Sequence, residues 1–221
     1  MKFNKFLIMS TAAVFFAACG GNAESGEAGE VASAGEGSVT YTIDSNSSVE
    51  WTAGHLMGIG ATHNGTITLS DGTLNVEDGN ITAGNFTIDM GTISVSDLTP
   101  ETGSEKLVGH LGKPEFFDVQ NYPTAKFEIT GSEVKKDGDN THVITGNLTL
   151  KDSTRSVSIP AAVSMDGDMI TASGEVAINR LDWGINFHSK EQDMTEAAIK
   201  ATENGIVDKV IGLKINLSGS K

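Results

Sequence analysis

The fold of this protein is decided most clearly by residues 157–178, VSIPAAVSMDGDMITASGEVAI. Apolar or small residues occupy every second position on both sides of Asp166-Gly167: Val157, Ile159, Ala161 and Val163 before the pair, and Ile170, Ala172, Gly174, Val176 and Ile178 after it. A period of two places such side chains on one face of a β-strand. Asp-Gly is favoured in tight hairpin turns, where positive φ is needed. The stretch therefore predicts two adjacent antiparallel strands, each with one apolar face.

The same alternation recurs outward from this hairpin over the region from Val39 to the end of the chain. It is seen in residues 49–55, 66–69, 86–90, 127–129 and 210–217. Three further Asp-Gly pairs, Asp71-Gly72, Asp78-Gly79 and Asp137-Gly138, lie between the runs and predict further turns. From these runs we expect about eight to ten strands of ordinary length. A sheet closed into a barrel suits one apolar face per strand and removes exposed edges. A two-sheet sandwich fits the same period.

Two stretches depart from the alternation. Residues 105–111 predict a short helix or turn ahead of Phe116-Phe117. Residues 191–203 are richer in helix formers, with Met194, Ala197, Ala198 and Ala201 on one side. We expect this second helix to be a lid or a side packing element.

The composition excludes one large class of partner. The 221 residues include 15 Lys or Arg against 29 Asp or Glu, for a formal net charge of −14. A nucleic-acid-binding domain needs a basic face to neutralise phosphates, so nucleic acid is not an expected partner. The single cysteine excludes an intrachain disulfide and a Cys-rich zinc site.

The N-terminal residues predict secretion and membrane attachment. Residues 1–18 combine Lys2 and Lys5, a short apolar run and small residues, as in a signal peptide. Cys19 follows Phe16-Ala17-Ala18 directly, which resembles a bacterial lipobox and predicts lipidation of Cys19. Residues 19–38, rich in Gly, Ala, Ser and Glu, predict a flexible tether to a domain spanning 39–221. Loss of Lys2 and Lys5 deepens the net charge to −16.

These N-terminal features also predict a location. An acyl anchor on Cys19 would hold the protein on a membrane of the cell envelope. Gly20 occupies the position where Asp retains lipoproteins at the inner membrane in well-studied relatives. The outer membrane, facing the periplasm or the surface, is therefore expected.

Several segments, taken in order, resemble one known family. They are YTID (41–44), SVEW (48–51), HNGTI (63–67), FTIDM (86–90), KLVGHL (106–111), FFDV (116–119), YPTAKF (122–127), GNLTL (146–150) and NRLDWGI (179–185). The combination resembles the YceI-like family of lipocalin-like, polyisoprenoid-binding proteins over about residues 39–218. The resemblance implies an all-β fold, an antiparallel eight-stranded lipocalin-like barrel with a short helix or two near its mouth. It also implies an isoprenoid or other lipid as ligand in an apolar lumen.

The inward parity of the strands identifies candidate ligand-binding residues. The predicted lumen is lined by Val49, Trp51, Ala53, Ile67, Phe127, Ile129, Ile159 and Val176, and an end is closed by Phe116, Phe117, Trp183 and Phe187. A polar head group would sit near His55, His63 or Arg180. A packed core without a cavity is the alternative. Small inward residues such as Ala172 and Gly174 favour open space.

Sequence motifs for catalysis and for metal binding are nearly absent. The five histidines, at 55, 63, 110, 142 and 188, show no pair at the i, i+2 or i, i+4 spacing of a local metal site. A Ser-x-x-Lys match at residues 132–135 lacks its companion motifs. We therefore expect a non-enzymatic protein without a cofactor. The hypotheses are a lipid-binding lipoprotein, a structural or partner-binding envelope scaffold with unknown protein partners, and an enzyme acting on a lipid or quinone.

Overall fold

The structure, a computed structural model, describes residues 25–55, 61–187, 189 and 206–221. The strands in these residues are β1 (Val39–Ile43), β2 (Ser48–His55), β3 (His63–Glu77), β4 (Asn80–Asp89), β5 (Thr124–Asp137), β6 (Asn140–Leu150), β7 (Ser153–Asp166), β8 (Met169–Asn179) and β9 (Val207–Ser220). One helix, α1 (Ser104–Leu111), lies between β4 and β5, as predicted for 105–111. Three 3-10 turns cover Met90–Thr92, Pro100–Thr102 and Arg180–Trp183. The predicted helix over 191–203 lies outside the described residues.

All pairings between these strands are antiparallel, and the sheet closes on itself. The order around the ring is β3-β2-β9-β8-β7-β6-β5-β4, and β4 pairs back with β3. The short β1 pairs with the same two neighbours as β2, at Val39↔Val76 on β3 and Thr42↔Ser220 on β9. β1 and β2 therefore lie end to end in one position of the ring. The prediction of an eight-stranded barrel is confirmed, and the sandwich is not formed.

Side chains bridge the break between β1 and β2. Ser47 is 1% exposed, and its hydroxyl donates to the carbonyl of Ser218 and accepts from the Ser218 N–H. The carboxylate of Asp44 accepts from the Ser218 hydroxyl at 2.6 Å. Together with the backbone bond from the Asp44 N–H to the Ser218 carbonyl at 2.9 Å, these contacts keep the polar groups between β1 and β2 paired.

Three of the four predicted Asp-Gly turns form hairpins. Asp78 and Gly79 both have positive φ, 49° and 80°, as a type I′ turn requires. In the hairpins that join β5 to β6 and β7 to β8, only Gly138 and Gly167 have positive φ, each 59°. Both glycines are the first central residue of their turn, which is the type II′ pattern. The type I′ prediction therefore holds for one turn.

The fourth predicted turn, Asp71-Gly72, is wrong, because β3 runs straight through it. The pairing with β4 shifts register between Leu69 and Asp71, so the Asp-Gly pair accompanies a β-bulge. A Cβ at Gly72 would lie 2.8 Å from the Phe86 ring. Glycine is required here by the close approach of an aromatic side chain, which sequence alone does not distinguish from a turn.

The inward-facing side chains form two clusters stacked along the barrel axis. The upper one includes Trp51, Leu111, Phe116, Trp183 and Ile185, at the end where α1 lies. The lower cluster, towards the Asp-Gly hairpins, is made of Tyr41, Val49, Leu69, Leu74, Val76, Ile81, Phe86, Ile129, Ile144, Ala161 and Ile170. Ile88, Phe127 and Leu213 pack against both. We call these three residues the waist of the barrel.

The long connection from β4 to β5 folds over the upper end of β2 and β3. Ser94 donates its N–H to the carbonyl of Thr66, and Ser96 does the same to Asn64. The indole Nε1 of Trp51 donates to the carbonyl of Ser94 at 3.1 Å. A Cβ at Gly65 would lie 1.7 Å from that carbonyl oxygen, so the approach depends on glycine.

The predicted tether differs from the structure in its second half. Residues 25–32 lie along the outside of the barrel, where the backbone of Gly26, Gly29 and Ala32 bonds to β7, β6 and β5. The segment has too little apolar area to order itself. Its order comes from polar groups that the barrel presents.

We predict that Gly65→Ala destabilises the fold, because the new methyl group would displace the Ser94 carbonyl and its bond to Trp51. Overpacking of this kind costs about 1–3 kcal/mol. Gly131→Ala is the matched control, since a Cβ there meets open space on a strand. Urea unfolding of both variants measures the difference. Equal free energies of unfolding would contradict the prediction.

We predict that His142 makes the fold acid-sensitive. This side chain is 7% exposed, its Nδ1 bonds to the Thr141 hydroxyl at 2.8 Å, and its Nε2 is buried without a partner in the described chain. Burial lowers the pKa of His142 below its ordinary value of 6.5. As pH falls through 6.5, His142 binds a proton in the unfolded chain but not in the folded chain. The free energy of unfolding therefore decreases.

Urea titrations from pH 7.5 to 5 measure this decrease. His142→Asn keeps a polar group near Thr141 without a titrating ring, and we expect a shallower pH dependence. The control is His110→Asn on α1. Unchanged slopes for His142→Asn would overturn the assignment.

Candidate ligand-binding cavities of the barrel

The upper half of the lumen contains an apolar cavity of about 90 Å³, which we call the chamber. Inward residues of the strands line it together with residues of the β4–β5 connection: Val49, Trp51, Ala53, Ile67, Ile88, Met90, Ile93, Leu111, Phe116, Phe117, Ala125, Leu148, Leu150, Ile178, Arg180, Ile185, Val207, Ile211 and Leu213. Arg180 is the single charged residue among them. The chamber therefore offers apolar contact over nearly its whole wall.

A wider cavity of about 370 Å³ lies above the chamber and opens towards solvent; we call it the vestibule. Its wall is formed by Trp51, Ala53, Gly54, His55, Ala61, His63, Leu98, Thr102, Gly103, Lys106, Leu107, His110, Leu111, Phe116, Phe187 and Val207. Both cavities share Trp51, Ala53, Leu111, Phe116 and Val207, which surround the passage between them. The polarity thus changes from mixed at the mouth to apolar inside.

His63 is held on the vestibule wall by a carboxylate. Its Nδ1 lies 2.8 Å from Oδ2 of Asp97, and Oδ1 of Asp97 accepts the N–H of Asn64 at 2.9 Å. The Asn64 N–H is the main cause that lowers the pKa of Asp97, and the His63 hydrogen bond lowers it further. A charged Asp97 fixes the orientation of the imidazole and leaves its Nε2 for other contacts.

Three further nitrogen-bearing side chains line the vestibule, besides the hydroxyl of Thr102. His55, at the end of β2, has its Nδ1 3.0 Å from the carbonyl of Ala61. Lys106 and His110 lie four residues apart on α1, a spacing that places both on one helix face. Together with His63 they supply hydrogen-bond donors around an otherwise apolar opening.

Arg180 has a structural role that the sequence did not indicate. It is 1% exposed, and its guanidinium donates to the carbonyls of Asp208 at 2.8 Å, Val207 at 2.9 Å and Ile185. Burial lowers the pKa of Arg180, and the nearby charge of Asp208 acts in the opposite direction. These bonds join both ends of the connection between β8 and β9, next to the chamber.

The structure brings most of the predicted ligand-binding residues to a cavity. Val49, Trp51, Ala53, Ile67, Phe116 and Phe117 line the chamber, and His55, His63 and Phe187 line the vestibule. Phe116 and Phe187 stack with centroids 4.6 Å apart at the mouth. Phe127, Ile129 and Ile159 line a separate lower cavity of about 50 Å³.

Two predicted residues line none of these cavities. Val176 faces inward but packs against the upper cluster. Trp183 is fully buried, and its Nε1 donates to the carbonyl of Leu148 at 2.9 Å. Trp183 therefore packs within the upper cluster and is bonded to β6. Cys19 lies outside the described residues.

The lumen is neither fully open nor fully packed. The waist separates the chamber from the lower cavity, and the rings of Phe86 and Phe127 lie 6.4 Å apart just below the chamber. The two alternatives left open by the sequence each apply to part of the barrel.

Sequence reasoning missed two kinds of cavity residue. Leu148, Leu150, Ile178, Ile211 and Leu213 follow the strand parity, so a systematic reading of the alternation finds them. Met90, Ile93, Leu98, Lys106 and Leu111 belong to the β4–β5 connection, which has no period. Tertiary folding alone brings them over the mouth.

Neither a metal site nor a membrane-spanning helix is found in the part of the chain that the structure describes. No group of three or more His, Cys, Asp or Glu side chains is arranged to hold a metal ion there. Within the same residues, no helix has the length and apolar character needed to cross a membrane.

The chain shares partial sequence similarity with curated bacterial proteins. It is 38% identical over 98 residues to a UPF0312 protein of Pectobacterium atrosepticum, covering 44% of this chain and 47% of the relative. A UPF0312 protein of Pseudomonas putida is 32% identical over 130 residues, or 58% and 63% of the two chains. Protein YceI of Salmonella arizonae is 36% identical over 104 residues, or 47% and 50%. The chain therefore spans about half to two thirds of the length of these relatives.

Solved structures share the fold at low sequence identity. Burkholderia cenocepacia BcnA superposes with a TM-score of 0.59 at 19% identity, covering 79% of this chain and 99% of BcnA. A structure described as a polyisoprenoid binding domain from Saccharophagus degradans, implicated in plant cell wall breakdown, gives 0.53 at 12% identity, with 81% and 97% covered. The model of the YceI-like domain matches residues 41–218, which is nearly the whole barrel. The chain thus belongs to the YceI-like family.

Proposed function

We propose that this protein is an envelope lipoprotein that binds a hydrophobic amphiphile, with the head group in the vestibule and the apolar part in the chamber. One observation carries the proposal: the mixed vestibule and the apolar chamber meet at five shared residues, so a single ligand contacts both. Ligand sites of this kind combine apolar walls with a few placed polar groups.

The family supports an isoprenoid or similar lipid as the ligand. The Saccharophagus degradans structure is described as a polyisoprenoid binding domain. At 12% identity, this similarity supports a common fold alone. The ligand class therefore rests on the chemistry of the cavities. Contact along the chamber wall favours a branched apolar chain, by about 0.8 kcal/mol for each buried CH₂.

The size of the chamber limits the ligand. A cavity of about 150 Å³ suffices to bind benzene, and the chamber holds about 90 Å³. The chamber therefore accepts the end of a chain, while most of the ligand occupies the 370 Å³ vestibule. A long polyisoprenoid would have to displace the waist to reach the lower cavity.

Membrane attachment is supported by the N-terminal sequence. Cys19 directly follows Phe16-Ala17-Ala18 in a lipobox-like position, and Gly20 favours the outer membrane. Storage or transport of a lipid fits a carrier held beside the bilayer.

We predict that the full chain, purified from the envelope, yields a stoichiometric lipid on extraction with organic solvent and mass spectrometry. Apolar burial in the chamber retains the ligand during purification. A lipid-free extract would reject the ligand proposal and leave the scaffold hypothesis, for which envelope pull-down with intact fractions would identify a protein partner.

We predict that isoprenoid alcohols of two or three units quench the fluorescence of Trp51. The chain has two tryptophans, and Trp51 lines both cavities whereas Trp183 is fully buried away from them. Trp51→Phe should abolish the response and Trp183 fluorescence should remain. Quenching that survives Trp51→Phe would contradict binding at this site.

The passage between the cavities can be blocked selectively. Ala53→Phe places a ring at the shared wall, and we expect at least ten-fold weaker binding. Thr52→Phe, on the exposed outer face of the same strand, is the matched control. Equal loss in both variants would show that the effect is not steric blocking of the cavity.

A further inference from the structure

The N-terminal segment 25–32 fills an open edge of β7. Pairing of β7 with β8 covers only Ala161–Asp166, so the earlier half of β7 has no partner on that side from β8. Gly26 takes that place: its N–H donates to the Ser156 carbonyl and its carbonyl accepts the Ser156 N–H, each at 3.0 Å. Such unpaired strand edges attract added backbone.

The same segment forms a hydrogen bond at a second open edge, on β5. The described pairing of β5 with β4 ends at Glu128, and β5 has a bulge between Ile129 and Gly131. The N–H of Ala32 donates to the Ile129 carbonyl at 2.9 Å. The segment therefore crosses from β7 to β5 and bonds to the backbone at both.

A side chain of β6 holds the middle of the segment. Asn147 faces outward on β6, yet it is 4% exposed because the segment covers it. Its Nδ2 donates to the carbonyl of Gly29 at 2.8 Å, and its Oδ1 accepts the Gly29 N–H at 2.9 Å. Both ends of this outward amide are bonded to the backbone N–H and C=O of one residue, which holds the segment in an extended conformation.

The segment has a direction relative to the mouth. Its first described residue, Ser25, donates its hydroxyl to Asp182, in the 3-10 turn beside Arg180 and the chamber. Its far end reaches Gly35, next to the Glu77 side chain at the hairpin end of the barrel. The described chain therefore starts near the mouth, although β1 begins at the opposite end.

We propose that residues 25–32 form a strap that makes the mouth face the membrane. This inference rests on the lipidation of Cys19 in the proposed function. Five residues lie between Cys19 and Ser25, and the six residue steps span at most about 22 Å at 3.3–3.6 Å per residue. A free tether from Cys19 to Val39 would span up to about 70 Å. The strap therefore shortens the free length of chain between the membrane anchor and the barrel, and it brings the point of attachment beside the chamber end of the barrel.

The consequence concerns ligand exchange with a lipid surface. With the vestibule held close to the bilayer, an amphiphile passes between membrane and chamber without exposing its apolar chain to bulk water. The strap thus identifies the lipid bilayer as the partner of the mouth.

Hydrogen exchange tests whether the strap is docked. In the full chain, we expect the amides of Gly26, Gly29 and Ala32 to exchange at least ten-fold more slowly than in an unstructured chain. Asn147→Ala should remove this protection while the barrel amides keep theirs. The matched control is Asn85→Ala, an exposed outward asparagine on β4 bonded to Thr73. Unprotected amides at 25–32 in the wild type would overturn the strap.

Energy transfer to vesicles tests the orientation. The acylated full chain is bound to phosphatidylethanolamine–phosphatidylglycerol vesicles with an acceptor dye on the head groups. A donor is placed by Glu115→Cys at the mouth or Asp139→Cys at the hairpin end, both exposed positions. The ends lie about 30 Å apart, for strands of 11 residues at a typical tilt. We expect higher transfer from position 115.

Variants of the strap sharpen this experiment. Gly26→Pro with Gly29→Pro removes two bonded N–H groups, and we expect transfer from the two positions to become equal. Ala34→Pro, whose N–H donates to no group in the described structure, should leave the difference intact. Equal transfer in the wild type, or an unacylated Cys19 in envelope-derived protein, would overturn the proposal.

These readouts are independent of ligand binding. A lipid-free extract together with a mouth-facing orientation would reject the proposed ligand and retain the strap. A lipid-loaded barrel with equal transfer at the two positions would reject the strap and retain the ligand.

Discussion

Closure of the sheet through β3 is the constraint on which the rest of the structure depends. Its 15 residues pair with β2 and β1 on one side and with β4 on the other. Because closure leaves no free edge along most of the ring, each strand must place one face inside. The two cores, the waist and the cavities are consequences of which side chains that face carries.

The two ends of the barrel have different roles because they are closed differently. Tight Asp-Gly hairpins close the lower end, where Leu74, Ile129 and Ile170 are almost completely buried. The upper end is covered by the β4–β5 connection, which packs less regularly and leaves the chamber and vestibule. Trp51 joins the two levels of that end, through its bond to Ser94 and its position on both cavity walls.

Much of the fold was predictable because a period of two is a local property. Every inward residue named from parity on β2 and β7 lies on the inner face, including Trp51 and Val157. The errors occurred where one sequence signal serves two physical purposes. Asp71-Gly72 has the composition of a turn, but Gly72 makes room for Phe86 within a strand. Residues 25–32 have the composition of a free linker, but Asn147 and two strand edges bind them.

The sequence by itself determined the strand pattern, the hairpins at the lower end, the family and the candidate lumen face, because alternation and turn chemistry act between near neighbours. Only the tertiary structure decided where the lumen is open, that His63 is held by Asp97, and that Arg180 binds three backbone carbonyls. It also decided that the N-terminal segment lies on the barrel. The local bond from Arg180 to Ile185 aside, the hydrogen bonds of His63, Arg180 and Ser25 join residues 27 to 157 positions apart. Such distances are set by barrel closure, which no local pattern encodes.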